Sequence, residues 1–198
     1  MAYSDFTQAT LETKFNLEFV QVQGLLEHES VTASDYLQQT IQRNLSLAIA
    51  INTEKARSEL LIAPMLVELK EIYPQVSLFS GTEFNVDSSA GLNGFCDFLL
   101  SQSADQINIR APVVALVEAK KEDLNQAIPQ CVASMLAARI FNDRHQNNIP
   151  KIYGIITTGS IWRFLMLYER QIKIDLNEIY LKPLENLLGY LGATVRSQ

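Results

Sequence analysis

Along this chain the spacing of apolar residues switches between a helical period and a period of two. In "ASDYLQQTIQRNLSLA", from Ala33, the pattern predicts a helix with Ser34 as N-cap. "NTEKARSELLIAPMLVELKEIY" predicts a second helix, because Leu60, Leu61, Met65, Leu66 and Leu69 recur at helical spacing and Asn52 or Thr53 can cap it. Pro64 lacks a backbone N–H, so it should bend this helix or begin a new turn. After Pro74 the period becomes two. "VSLFSGTEFNVD" alternates as a half-buried strand does, "SSAG" turns, and "LNGFCDFLLS" predicts a second strand. "PVVALVEAK" is apolar on both faces, as a central strand must be. "DLNQAIPQCVASMLAARIFNDRH" reads as a helix with Pro129 in or near its first turn. "KIYGIITTGS" and "IWRFLMLYER" predict strands around a Thr-Gly-Ser turn, "QIKIDLNEIY" another, and "PLENLLGYLG" a closing helix. Residues 1–30 have weak periodicity and are expected to form a short helix or an extended lead-in.

The order helix, three strands, helix, strands predicts a single α/β domain. Residues 1–50 are expected as an N-terminal helical extension packed on the core, and 51–198 as the α/β domain proper. The length of 198 residues suits one core, and 47% hydrophobic with 19% charged residues is a globular composition. No apolar run reaches the roughly 18 residues of a membrane span. The opening "MAYSDFTQATLETKF" has no basic stretch followed by an apolar one, so no signal peptide and no membrane partner are expected, and the cytoplasm is the expected location. Cys96 and Cys131 lie inside apolar stretches and read as two buried free thiols. The net charge of −6 is uneven: residues 1–35 hold six acids and one base. The pI of about 5.0 argues against tight, non-specific nucleic-acid binding, for which a basic face is usual.

Two predicted strands carry charges where a strand interior should be apolar. Asp97 lies between Phe95-Cys96 and Phe98-Leu99; Glu118 ends the run Val113 to Val117, and Lys120 follows. Side chains alternate along a strand, so Glu118 and Lys120 should point the same way. If the two strands pair, Asp97 and Glu118 converge near their ends. Close carboxylates repel unless one takes a proton or a cation sits between them, and their oxygens suit Mg²⁺ or Mn²⁺. Lys120 can then orient or deprotonate a water, or meet charge developing on a phosphate. The plain alternatives are a strand-edge Asp bonded to backbone and an ordinary salt bridge between Glu118 and Lys120. Gln126, Lys55 and Arg57 read as solvated, and Trp162 as packing.

An acid in one strand, then acid-x-Lys in the next, after a helix carrying Glu, resembles the PD-(D/E)XK nuclease superfamily. The matching residues are Asp97, Glu118-Ala119-Lys120 and Glu59, with Gln130 on the following helix and Gln126 one turn earlier. Cys96 stands where the Pro of the signature would be. The likeness covers roughly residues 50–170, and is to small stand-alone bacterial members and to the nuclease domain of type I restriction subunits. The resemblance implies a restriction-endonuclease-like αβββαβ core with a central mixed sheet flanked by helices. It implies a divalent-metal-dependent nuclease in which Asp97, Glu118 and Glu59 hold Mg²⁺ or Mn²⁺, Lys120 positions the water, and Gln130 completes the catalytic set. The partner implied is nucleic acid, DNA ahead of RNA, with a homodimer or a partner protein supplying specificity. The alternative is a catalytically inactive protein of that fold, acting as a binding or regulatory module.

Overall fold

In the computed structural model, which describes residues 2–196, both faces of one mixed sheet are covered by helices. Its order is β1 (Glu18–Val22), β7 (Gln171–Asp175), β6 (Ile161–Tyr168), β5 (Lys151–Thr157), β4 (Val113–Ala119), β3 (Phe95–Ser101) and β2 (Ser77–Glu83), with β8 (Ile179–Tyr180) also paired to β6. The β1–β7 and β4–β5 pairs are parallel and the others antiparallel. Every residue of β4 is buried, which explains its unbroken apolar run.

One face is packed by α2 (Asp35–Ile51), α4 (Ala63–Ile72) and α6 (Leu184–Val195), through Ile41, Met65, Leu66, Leu69, Leu187 and Leu191 among others. The other face is packed by α5 (Ile128–Arg144), whose residues from Cys131 to Ala138 are buried without interruption. A helix apolar all round needs cover on both sides. The N-terminal segment provides it: Tyr3, Phe6 and α1 (Gln8–Phe15) join the same cluster as α5. The lead-in is therefore not helical throughout, since it adds edge strand β1 to the sheet and helix α1 to its cover. Weak periodicity hid it because α1 buries only Leu11 fully and β1 is a half-exposed edge.

The predicted caps are present. Leu37 N–H donates to Ser34 Oγ, and Ala56 N–H to Thr53 Oγ1. The second helix runs as α3 (Glu54–Arg57), a π-turn (Ser58–Ile62) and α4. Pro64 is the reason. It cannot donate to the carbonyl of Leu60, and Asn44 Nδ2 from α2 donates to that carbonyl instead, at 3.0 Å. The irregular turn is thereby held by a neighbouring helix.

Gly154 on β5 marks the closest approach of α5. A Cβ there would lie 2.5 Å from Met135 Sδ and 2.7 Å from Cys131 Sγ. Gly154→Ala should therefore lower unfolding free energy by about 1–3 kcal/mol, the usual range for overpacking. Urea unfolding at constant m-value measures it.

Candidate functional site

The site forms where β3 and β4 part. Their antiparallel ladder runs from Ser101↔Val113 to Phe98↔Val117. One step further out lie Asp97 and Glu118. There the amide of Ala119 donates to Asp97 Oδ2 at 2.8 Å, so a carboxylate stands where a ladder carbonyl would be. On its other side β4 remains tied to β5, through the parallel pairs ending at Ala119↔Thr157 and through Lys120 N–H to Thr157 O at 2.8 Å.

Glu118 is 5% exposed. Lys120 Nζ donates to its Oε1 at 2.5 Å, so the two side chains do share a side, as alternation requires. Burial, then the charge of Asp97, push the Glu118 carboxyl up to about 7, against the opposing pull of Lys120. Burial alone would lower the Lys120 ammonium, but the charge and hydrogen bond of Glu118, together with the charges of Glu54 and Asp97, raise it. The pair is thus a cation held on a reluctant anion. Both thiols are protonated and inert, since burial and then nearby carboxylate charge push Cys96 up to about 12 and Cys131 well above its usual value.

Two clefts lie beside this pair. One, of about 270 Å³, is lined by Asp97, Ala119, Glu54, Ser58, Glu59 and Ser80 among others. The other, of about 290 Å³, is lined by Glu54, Lys120, Lys121, Glu122, Asp123 and Gln126. Glu54 belongs to both. It is exposed at the start of α3, and its charge acts on Glu118 and on Lys120. Sequence reasoning passed over it because four acids share that helix and only the fold selects the one at its first turn.

The other expected residues fall differently. Glu59 lines the Asp97 cleft, but it is exposed and paired with Lys55 at 3.1 Å. Gln130 is half-buried in the first turn of α5, and Gln126 is the glutamine lining the Lys120 cleft. Gln126 donates to Asp123 Oδ2 at 3.1 Å. Arg57 is not a solvated cation. It donates to Asn52 Oδ1, Thr158 O and Ser160 Oγ, and so ties α3 to the β5–β6 turn. Trp162 is fully buried, as packing requires. Among the described residues, no three His, Cys, Asp or Glu side chains are grouped as a ready-made metal cage, and no helix is long and apolar enough to cross a membrane.

Comparison with known proteins gives no match to this chain, whether to protein-family models, to curated proteins or to solved structures.

Glu118 gives a direct test of the site's chemistry. Its folded-state pKa lies above its ordinary 4.5, so the folded chain binds the more protons between pH 4.5 and about 7. Stability should fall as pH rises through this window, by on the order of 3 kcal/mol from this one group. Glu118→Gln should remove that slope and equal or exceed the parent at pH 7.5, as read by urea unfolding at several pH values.

Proposed function

We propose that this protein is a divalent-metal-dependent nuclease of the PD-(D/E)XK type. One observation carries the reading: Asp97 and Glu118 end adjacent strands beside an open cleft, with the Lys120 ammonium on Glu118. The path α3–α4, β2, β3, β4, α5, β5, with β2–β4 antiparallel and β5 parallel to β4, supports a restriction-endonuclease-like αβββαβ core.

The donor set fits a hard cation. Asp97 keeps one oxygen beyond its bond to Ala119, and Glu118 keeps Oε2 beyond its bond to Lys120. Mg²⁺ is commonly held by one or two carboxylates, with waters and substrate phosphate oxygens completing the shell. Asp97 and Glu118 would hold Mg²⁺ or Mn²⁺, with Glu54 or Glu59 within the same clefts as the outer acid. The bound ion would supply Lewis acidity at the phosphodiester and an acidified water.

The chain's own residues do the rest. The charge of Asp97 adds to burial in raising the cost of ionising Glu118. Lys120, released from Glu118, presents an ammonium to the attacking water or to the phosphate, where it stabilises charge as it develops. Gln126 and Lys121 line the side from which a backbone phosphate can approach. DNA is the proposed polymer, ahead of RNA, with specificity supplied by a second copy or another protein.

A second reading has its own observation. Each central carboxylate already has an oxygen bonded within the chain, as in a protein of this fold that binds and does not cut. Metal binding and cleavage separate the two.

Mn²⁺ at a hundredfold excess over its dissociation constant should stabilise the fold by about 2.7 kcal/mol, or about 5–10 °C in Tm for a domain of this size. Asp97→Asn, which keeps an acceptor for Ala119 N–H, should abolish that rise. No rise in the parent would favour the binding reading.

Lys120→Ala should lower cleavage of single- or double-stranded DNA by about 10²- to 10³-fold, with little change in substrate affinity, because the ammonium acts mainly in the transition state. Single-turnover rates beside binding isotherms at low salt decide this. Equal rates in parent and variant would remove Lys120 from the mechanism.

A further inference from the structure

Outside the Asp97–Glu118 site, α2 and α4 leave an apolar groove of about 400 Å³ between them. Tyr36, Ala63, Pro64 and Val67 form its apolar part, and Tyr36 is 78% and Val67 50% exposed. Further along α2 the exposed side is mixed, with the exposed Arg43, at i+7 from Tyr36, between the groove and Leu47. Leu47 and Ile51 are also exposed, and their spacing from Tyr36, i+11 and i+15, keeps them on the same side of the helix. An exposed apolar groove of this kind commonly marks an interaction site.

The charges that line the groove are of one sign, with Lys55 beside Glu59 and Arg43 further along α2 as the nearby bases. Glu59, Glu68 and Glu71 line it and no base does, among the described residues. Glu68 is partly engaged, accepting from Ser34 N–H and Oγ–H. Glu59 is paired with Lys55, which lines the neighbouring cleft. Glu71 has no ion-pair partner among the described residues. Three carboxylates beside an apolar trough repel a polyanion, so nucleic acid is a poor occupant. A second copy docked by two-fold symmetry would set these acids against themselves, on a chain already carrying net charge −6.

We propose that the α2–α4 groove binds an amphipathic helix of another protein, apolar on the buried face and flanked by Lys or Arg. Apolar side chains at i, i+3 or i+4, and i+7 would fill the trough over Tyr36, Pro64 and Val67. Basic side chains at its edges would meet Glu59, Glu68 and Glu71, which set orientation and reject acidic helices. Glu59 lines both this groove and the Asp97 cleft, so the bound helix would end beside the candidate site. The proposal holds whether or not the chain cuts nucleic acid.

The test uses the full chain and three synthetic helical peptides: one with Leu at i, i+3, i+4 and i+7 flanked by Lys, one with the same composition scrambled, and one with Glu for Lys. Fluorescence anisotropy at physiological salt gives affinity, and ¹⁵N NMR gives the location. The Lys-flanked helix should bind best, with the largest shifts at Tyr36, Thr40 and Val67. Val67→Asp and Glu71→Lys should each weaken it by about tenfold, the loss of one good anchor. Both positions are exposed, so the variants should melt as the parent does. Equal binding of the scrambled or the acidic peptide, no binding, or shifts confined elsewhere would overturn the proposal. So would a concentration-dependent dimer that Val67→Asp dissociates, because the occupant would then be a second copy.

Discussion

A carboxylate at the end of the most buried strand is the constraint around which this molecule is arranged. Taking Glu118 out of water costs several kcal/mol unless it is paired or protonated. The chain supplies an ammonium two residues on, in contact with it, and leaves the carboxyl titrating near neutrality, because burial and the adjacent Asp97 outweigh that ammonium. Such an arrangement stores an unmet demand for positive charge at one spot. It is tolerated because the rest of β4 is dry, apolar and bonded on both sides, with strand β3 before the parting and strand β5 beyond it.

The frame that keeps the spot in place is a chain of short-range ties. Lys120 N–H bonds Thr157 O, and Thr157 Oγ1 in turn accepts from Gly159 N–H and donates to Ile161 O. Gly159 takes a positive φ of 80° in that turn, where its missing Cβ also avoids Leu61. Arg57 grips the same turn from α3. The first turn of α3, with Glu54, is thus fixed relative to Lys120 by backbone and guanidinium bonds rather than by loose packing. The π-turn at Ser58–Ile62 follows from Pro64 and is stabilised by Asn44, which also sets how α2 and α4 lie side by side. Pro64 itself lines the apolar groove.

The acidic balance of the chain has a structural meaning as well. The N-terminal segment, which carries much of the excess negative charge, covers α5 with Tyr3, Phe6 and Leu11 and sends its acids outward. Asp5 and Glu12 are exposed there, and Glu18 lies on the edge strand. The excess charge thus belongs to a solvated cover. Around the candidate site, acids and lysines are mixed, as in Glu54, Lys55, Lys120, Lys121, Glu122 and Asp123.

What the amino-acid order determined by itself was local: periods, caps and breaks. Strands β2 to β7, helices α2, α4, α5 and α6, the caps Ser34 and Thr53, and the effect of Pro64 are all readable from nearest neighbours, because each depends on interactions within a few residues. The pairing of Glu118 with Lys120 was readable for the same reason, since i and i+2 share a side of any strand. The nearness of Asp97 to Glu118 was readable only on the premise that their strands pair. What tertiary structure alone decided is everything set by elements distant in sequence. It brought β1 to β7 across some 150 residues, chose Glu54 among four helical acids to share a cleft with Lys120, turned Gln126 rather than Gln130 toward that cleft, and withdrew Arg57 from solvent. Side chains of the same type differ only in what the folded sheet and helices place beside them, and no local pattern carries that information.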